Sequence, residues 1–175
     1  MQELVNQLGS KDSRIRDDYA YSELERLIKS NEHTASENKA LFNQLISEVS
    51  IKGKDTERVL KRSFCALVLS KVIFEDYKRF GVLERGDLRE VYEVFEQYLK
   101  YEECFIEKDK DLGWVHCHAH IGDVLSTLVI HRNSNLSGEI ISLISGFDKL
   151  GCLGPDSLER FNAPLSLAKA LGKCS

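Results

Sequence analysis

Apolar residues along this chain recur at spacings of three and four, and no run alternates apolar with polar as a half-buried strand does. A first helix is predicted over Ser13–Lys29, with Ala20, Leu24, Leu27 and Ile28 on one stripe. A second covers Ser36–Val49, with Ser36 as its expected N-cap, and "KGKD" ends it. The third, Thr56–Tyr77, is apolar nearly all round, which marks a helix enclosed by its neighbours. Asp87 is the expected cap of a fourth helix running to Tyr101. After the charged connection "EKDKDLG" come a fifth helix, Trp114–Ile130, and a sixth, Leu136–Leu150. Asp156 or Ser157 opens a last helix, expected to be interrupted at Pro164.

The helices alternate long and short, so they fall into three pairs whose starts are about 43 and 58 residues apart. Helical-pair repeats have periods of about 40–47 residues. The expected fold is therefore all-α: an α-α superhelix of HEAT- or armadillo-like pairs forming a single helical domain over residues 1–175. A globular helical bundle is the alternative.

Some polar residues fall where a simple amphipathic helix would place apolar ones. At 100° per residue, Asp17 lands in the sector of Ala20, Leu24 and Ile28, with Arg16 at its edge. Arg62 shares a sector with Cys65, Ala66, Leu69 and Ile73, and is expected to be buried against Asp17 or Asp123. Lys71 also lies among apolar residues, where its stem lets the ammonium reach outward. Ser63 is expected to tuck into its own helix.

The densest cluster is "GWVHCHAHIGDVL". On a continuous helix, His116, His120, Asp123 and Thr127 fall within roughly 60° of one another, while His118 points elsewhere. That spacing suits zinc or another divalent transition metal, held by His116, His120 and Asp123 with a further ligand from another helix. It equally suits a hydrogen-bond network in which Asp123 orients a neutral His120.

Composition narrows the partners. The net charge of −4 and the lack of a long Lys/Arg block argue against a nucleic acid. No run reaches the roughly 18 apolar residues of a membrane span, and the first residues do not resemble a signal peptide. Five cysteines without a C-x-x-C pair point to a reducing cytoplasm, with Cys65 and Cys117 as core residues. There is no P-loop or G-x-G-x-x-G, and "GFDKLGCLG" lacks the preceding strand of a phosphate-binding turn. No cofactor is expected unless the histidines hold a metal.

Three stretches, "IRDDYAYSELERLI", "TERVLKRSFCALVLSKVI" and "GWVHCHAHIGDVL", together resemble a bacterial family of unknown function, domain of unknown function 2785, over about residues 12 to 130. The family's pattern falls on Arg16, Asp17, Ala20, Tyr21, Arg62, Ser63, Phe64, Gly113, Trp114, His116, His120 and Asp123. "YEECFIEKDKDLGW" departs from it by lacking an arginine before the tryptophan. The resemblance implies a helical-repeat-like fold and brings no activity. The expected function is binding of a protein or a small anionic ligand in a polar groove lined by Arg16, Asp17, Arg62, His116, His120 and Asp123. The alternatives are a metal-dependent hydrolase using His116, His120 and Asp123, and an interaction scaffold with a buried polar network.

Overall fold

The computed structural model describes residues 1–53, 55–101, 108–147, 153 and 155–173. Cys104, Cys152, Cys174, the Leu150 end expected for the sixth helix and most of "GFDKLGCLG" lie outside them. Among the described residues the fold is all-α apart from one two-stranded ribbon. A short helix α1 (Gln2–Gln7), absent from the sequence-based assignment, buries Leu4 and Val5. A π-helical segment, Arg14–Tyr21, runs into α2 (Ser22–Lys29).

Helix α3 (Ala35–Ser50) begins one residue before the expected Ser36 cap. Its cap is Thr34, whose hydroxyl takes the Glu37 amide while the Glu37 carboxylate takes the Thr34 amide. Asp55 caps α4 (Thr56–Glu75) by accepting the Arg58 amide. A second π-helical segment, Asp76–Phe80, ends at Gly81, whose φ of 65° lets its N–H close back onto the Asp76 carbonyl at 2.8 Å. Helix α5 (Arg85–Tyr101) starts before Asp87, which is not its cap; its carboxylate reaches back to the Glu84 amide at 2.8 Å.

Strands β1 (Lys108–Asp109) and β2 (Gly113–Trp114) form an antiparallel ribbon with Lys108 opposite Trp114. Helix α6 (Cys117–Ile130) therefore starts three residues later than expected. After α7 (Ser137–Ser145) comes α8 (Pro155–Ala170), which passes through Pro164 without interruption.

The first helices of the predicted pairs pack in chain order, α2 on α4 and α4 on α6, while α3 lies against α4 and α5. The third pair differs from expectation, because α6 packs chiefly against α8 and only lightly against α7. Pro164 contributes to this. It has no N–H to offer the carbonyl four residues back, that of Arg160. That carbonyl meets Gly122 of α6 so closely that a Cβ there would stand 2.2 Å from the oxygen. Only glycine admits the contact.

Buried apolar side chains from these helices form one continuous cluster, with α4 enclosed as its pattern predicted. At one end of α4, buried Asp76 accepts from the Val82 and Leu83 amides at 3.0 and 3.1 Å and from His131 Nε2 at 3.2 Å. His131 Nδ1 accepts from the Asn133 amide, so the imidazole proton is on Nε2. Burial pushes the Asp76 carboxyl up, but these hydrogen bonds outweigh it and hold the group below its usual value. No helix among the described residues is long and apolar enough to cross a membrane.

Candidate functional site

The expected histidine stripe is only partly assembled, and the ribbon is the reason. Residues 114 to 116 are not helical, and His116 is the N-cap of α6 with a left-handed backbone (φ 52°, ψ 38°). Such a conformation is uncommon for a side-chain-bearing residue and costs of order 1 kcal/mol or more. His116 lies against the first turn of α8, with Nδ1 3.5 Å from Ser157 Oγ and 3.9 Å from an Asp156 carboxylate oxygen.

His120 sits one turn into α6 with 3% of its surface exposed. Its Nδ1 is 2.8 Å from Ser63 Oγ and 3.1 Å from the Ser63 carbonyl. Ser63 does not tuck into its own helix as expected; its hydroxyl donates to the Val115 carbonyl at 2.8 Å. With that one proton committed, and since a carbonyl only accepts, both Ser63 oxygens must be acceptors toward His120. The imidazole proton is thereby fixed on Nδ1, which leaves the lone pair on Nε2. Burial, and then the nearby Arg160 and His116, hold the His120 pKa well below its ordinary 6.5, with the Ser63 carbonyl opposing them. The ring is neutral at physiological pH. Its centroid is 6.0 Å from that of His116 and 5.3 Å from Phe64, edge-on.

Asp123, the third residue of the stripe, does not orient His120. It is taken by Arg160 of α8, which approaches with Nε at 3.4 Å and a second bond through Nη2. Arg160 Nη1 is also 3.9 Å from Asp156. Burial works against the Arg160 charge, but the Asp123 hydrogen bonds and charge raise its pKa. Tyr21 belongs to the same neighbourhood: burial first, then Glu25 and Asp123, push its phenol up to about 12.

Arg16 and Asp17 exchange their expected roles. The π-helical segment closes i→i+5, with the Ser22 amide bonding the Asp17 carbonyl, so a 100° projection misplaces its side chains. Arg16 is the residue that turns inward, fully buried, while the Asp17 side chain remains 38% exposed. The guanidinium grips Asp17 at 2.7 and 3.1 Å and donates to the carbonyls of Ser10 at 3.2 Å and Leu112 at 3.1 Å. It also lies 4.8 Å above the Phe64 ring. Arg16 thus reaches the histidines through Phe64, as a support for the ribbon that leads into them.

Arg62 does not join these side chains. It is buried as predicted, but it donates to the carbonyls of Ile51 at 3.3 Å and Gly53 at 2.7 Å and stacks 5.6 Å from Tyr98. The two carboxylates proposed for it are held by Arg16 and Arg160 instead. The expected metal triad is not assembled, since the Asp123 carboxylate is committed to Arg160. Among the described residues no three His, Cys, Asp or Glu side chains converge as a metal site would require.

The site thus gathers Ser63, His116, His120, Asp123, Ser157 and Arg160, with Tyr21 and Arg16 around it. Ser157 and Arg160 were missed by sequence reasoning. The Gly122–Pro164 pair was the available signal that α8 packs tightly here. His118 is buried against Phe147 and Phe161, with centroids at 5.5 and 5.9 Å.

A family model described as "Protein of unknown function (DUF2785)" matches residues 48–150. That span contains α4, the ribbon and α6, hence Ser63, His116, His120 and Asp123. No curated protein and no solved structure matches the chain.

Proposed function

The chain belongs to the DUF2785 family, and from that premise we propose that it is a binding module for a small oxyanion that also carries an acidic O–H, such as hydrogen phosphate. The observation that carries this reading is His120. Its proton is fixed on Nδ1 by Ser63, and among the described residues no hydrogen bond uses Nε2. A neutral, fixed lone pair accepts a hydrogen bond from a ligand hydroxyl and repels a ligand oxygen without a proton. Arg160 supplies the charge, because Asp123 occupies two of its five N–H donors. Half-buried His116 provides a second imidazole at the same edge.

The proposed site draws on α4 and α6, which lie within the matched span, and on α8, which does not. Cys65, buried and not in a disulfide, supports a reducing cytoplasmic setting. The packing of α2, α4 and α6 in chain order supports the superhelical arrangement of pairs. A purely structural network is the second reading, favoured by the Arg160–Asp123 pair that ties α8 to α6.

Calorimetric titration with inorganic phosphate and with sulfate at pH 7 separates the two. Sulfate has the same shape and no proton to give. The binding reading expects phosphate to bind in the millimolar range, about −4 kcal/mol, with sulfate at least tenfold weaker. His116→Ala and Arg160→Gln should each weaken phosphate. Equal binding of the two anions, or variants that alter stability alone, would leave the structural reading standing.

A further inference from the structure

A second cleft lies between α2 and the C-terminal half of α4, independent of the proposal above. It encloses about 520 Å³ and includes Lys29, Lys71, Phe74, Glu75, Lys78 and Arg79 in its lining, with Ile28 at its base. That volume is within the range of about 300–1,000 Å³ typical of small-molecule sites. Four cationic side chains and two carboxylates, Glu25 and Glu75, line it.

The cations are not equivalent. Lys29 is paired with Glu25 at 2.9 Å. Arg79 is fixed in place by donating to the carbonyls of Ser30 and His33, at 3.1 and 3.0 Å for its shortest bond to each. Lys78 and Arg79 both stand near Glu75, at 3.7 and 3.6 Å, too far for strong hydrogen bonds. Lys71 is half-buried, and among the described residues no hydrogen bond or ion pair takes its ammonium. It lies in the field of Glu25, whose carboxylate is already paired with Lys29, so an incoming anion would meet a cation that has no ion pair of its own among the described residues.

The cleft also offers apolar surface. Phe74 is 39% exposed, and Lys78 Nζ lies 5.5 Å from the centre of its ring. Ile28 is fully buried beneath. An ion of bare phosphate size would leave this surface wet.

We propose that the cleft between α2 and α4 binds a small organic anion, whose carboxylate or phosphate meets Lys71 and whose planar or apolar body rests on Phe74. Lys78 and Arg79 supply the remaining field, and the Asn31 side chain is placed to select among ligands by hydrogen bonding. The polarity of the body is thus limited on one face and tolerated on the other.

The test is a titration followed by residue-resolved NMR of the Phe74 ring and the Lys71 side chain. Benzoate and phenyl phosphate are the organic probes, and inorganic sulfate is the bare anion. The proposal expects Phe74 and Lys71 signals to shift with at least one organic probe, and the comparison of the two identifies the preferred anionic group. Lys71→Gln should weaken that probe at least tenfold, and Lys78→Gln, at a half-exposed position, should weaken it less. No shift at Phe74 and Lys71 with either probe overturns the proposal. So does sulfate binding as tightly as the organic anions, or an unchanged affinity in Lys71→Gln. Shifts confined to His116 and His120 would overturn this site while leaving the phosphate groove intact.

Discussion

Replacing Arg16 with alanine removes a guanidinium that is completely buried and joins three parts of the chain. Its bonds to the carbonyls of Ser10 and Leu112 tie the loop before the π-helical segment to the ribbon, and its contact with Phe64 ties both to α4. Stranding a buried carbonyl costs about 1–3 kcal/mol, and the two here are partly shielded, so together they account for about 2–4 kcal/mol. The lost ring contact adds about 0.5–2 kcal/mol. Asp17 contributes little, because its side chain is 38% exposed and rehydrates when the pair is broken. Arg16→Ala should therefore destabilise by about 3–5 kcal/mol, in line with breaking a buried charged contact. Arg16→Lys should recover less than half, since one ammonium cannot span the positions a planar fork reaches. Asp17→Ala should cost less, about 1–3 kcal/mol, because the buried guanidinium loses its carboxylate but keeps its two carbonyl partners. Urea unfolding followed by circular dichroism measures all three. A loss below 1 kcal/mol for Arg16→Ala, or equal losses for Arg16→Ala and Asp17→Ala, would refute the assignment of Arg16 as the buried tie.

His120 has a depressed pKa in the folded state, so below about pH 6.5 the unfolded chain binds a proton that the folded one refuses. Stability should fall as pH drops through that value, by up to about 1.4 kcal/mol per unit from this group, until the folded pKa is reached. His120→Gln should flatten that limb of the pH–stability curve, and an unchanged slope would contradict the burial of a neutral ring. Gly122→Ala forces a methyl group against the Arg160 carbonyl, so α6 and α8 must part, at about 1–3 kcal/mol or more. A thermal melt within experimental error of wild type would contradict this close approach. Arg62→Ala should cost about 1–3 kcal/mol by releasing the Ile51 and Gly53 carbonyls, with faster amide exchange in the connection after α3. Unchanged exchange there would show that Arg62 does not hold that connection.

Most of the helices were legible because their apolar spacing is regular. Helix α4 is the clearest case, where an all-round apolar pattern correctly announced a central position. Side-chain direction failed where the backbone departed from 3.6 residues per turn. Asp17 and Arg16 changed places because their segment is π-helical, and nothing in "RIRDDYAY" announces an i→i+5 closure. His116 left the stripe because the ribbon delays the start of α6. The polar residues singled out at Asp123 and Arg62 do contact charged or polar partners, but not the partners proposed. Ion-pair choice depends on which helices meet, and the meeting of α6 with α8 lay in a glycine and a proline 42 positions apart. Thr34 was overlooked as a cap because Ser36, two residues later, has the same chemistry.

The central claim is that His120 is held neutral with its proton on Nδ1, so that Nε2 can receive a proton donor from an oxyanion. A long-range ¹H–¹⁵N correlation spectrum of the histidine rings at pH 7, with and without inorganic phosphate, measures both parts at once. The account predicts the Nδ1–H tautomer for His120 in the free protein, and a displacement of its Nε2 resonance on adding phosphate but not sulfate. An Nε2–H tautomer, a charged ring at neutral pH, or an Nε2 resonance indifferent to phosphate would contradict it.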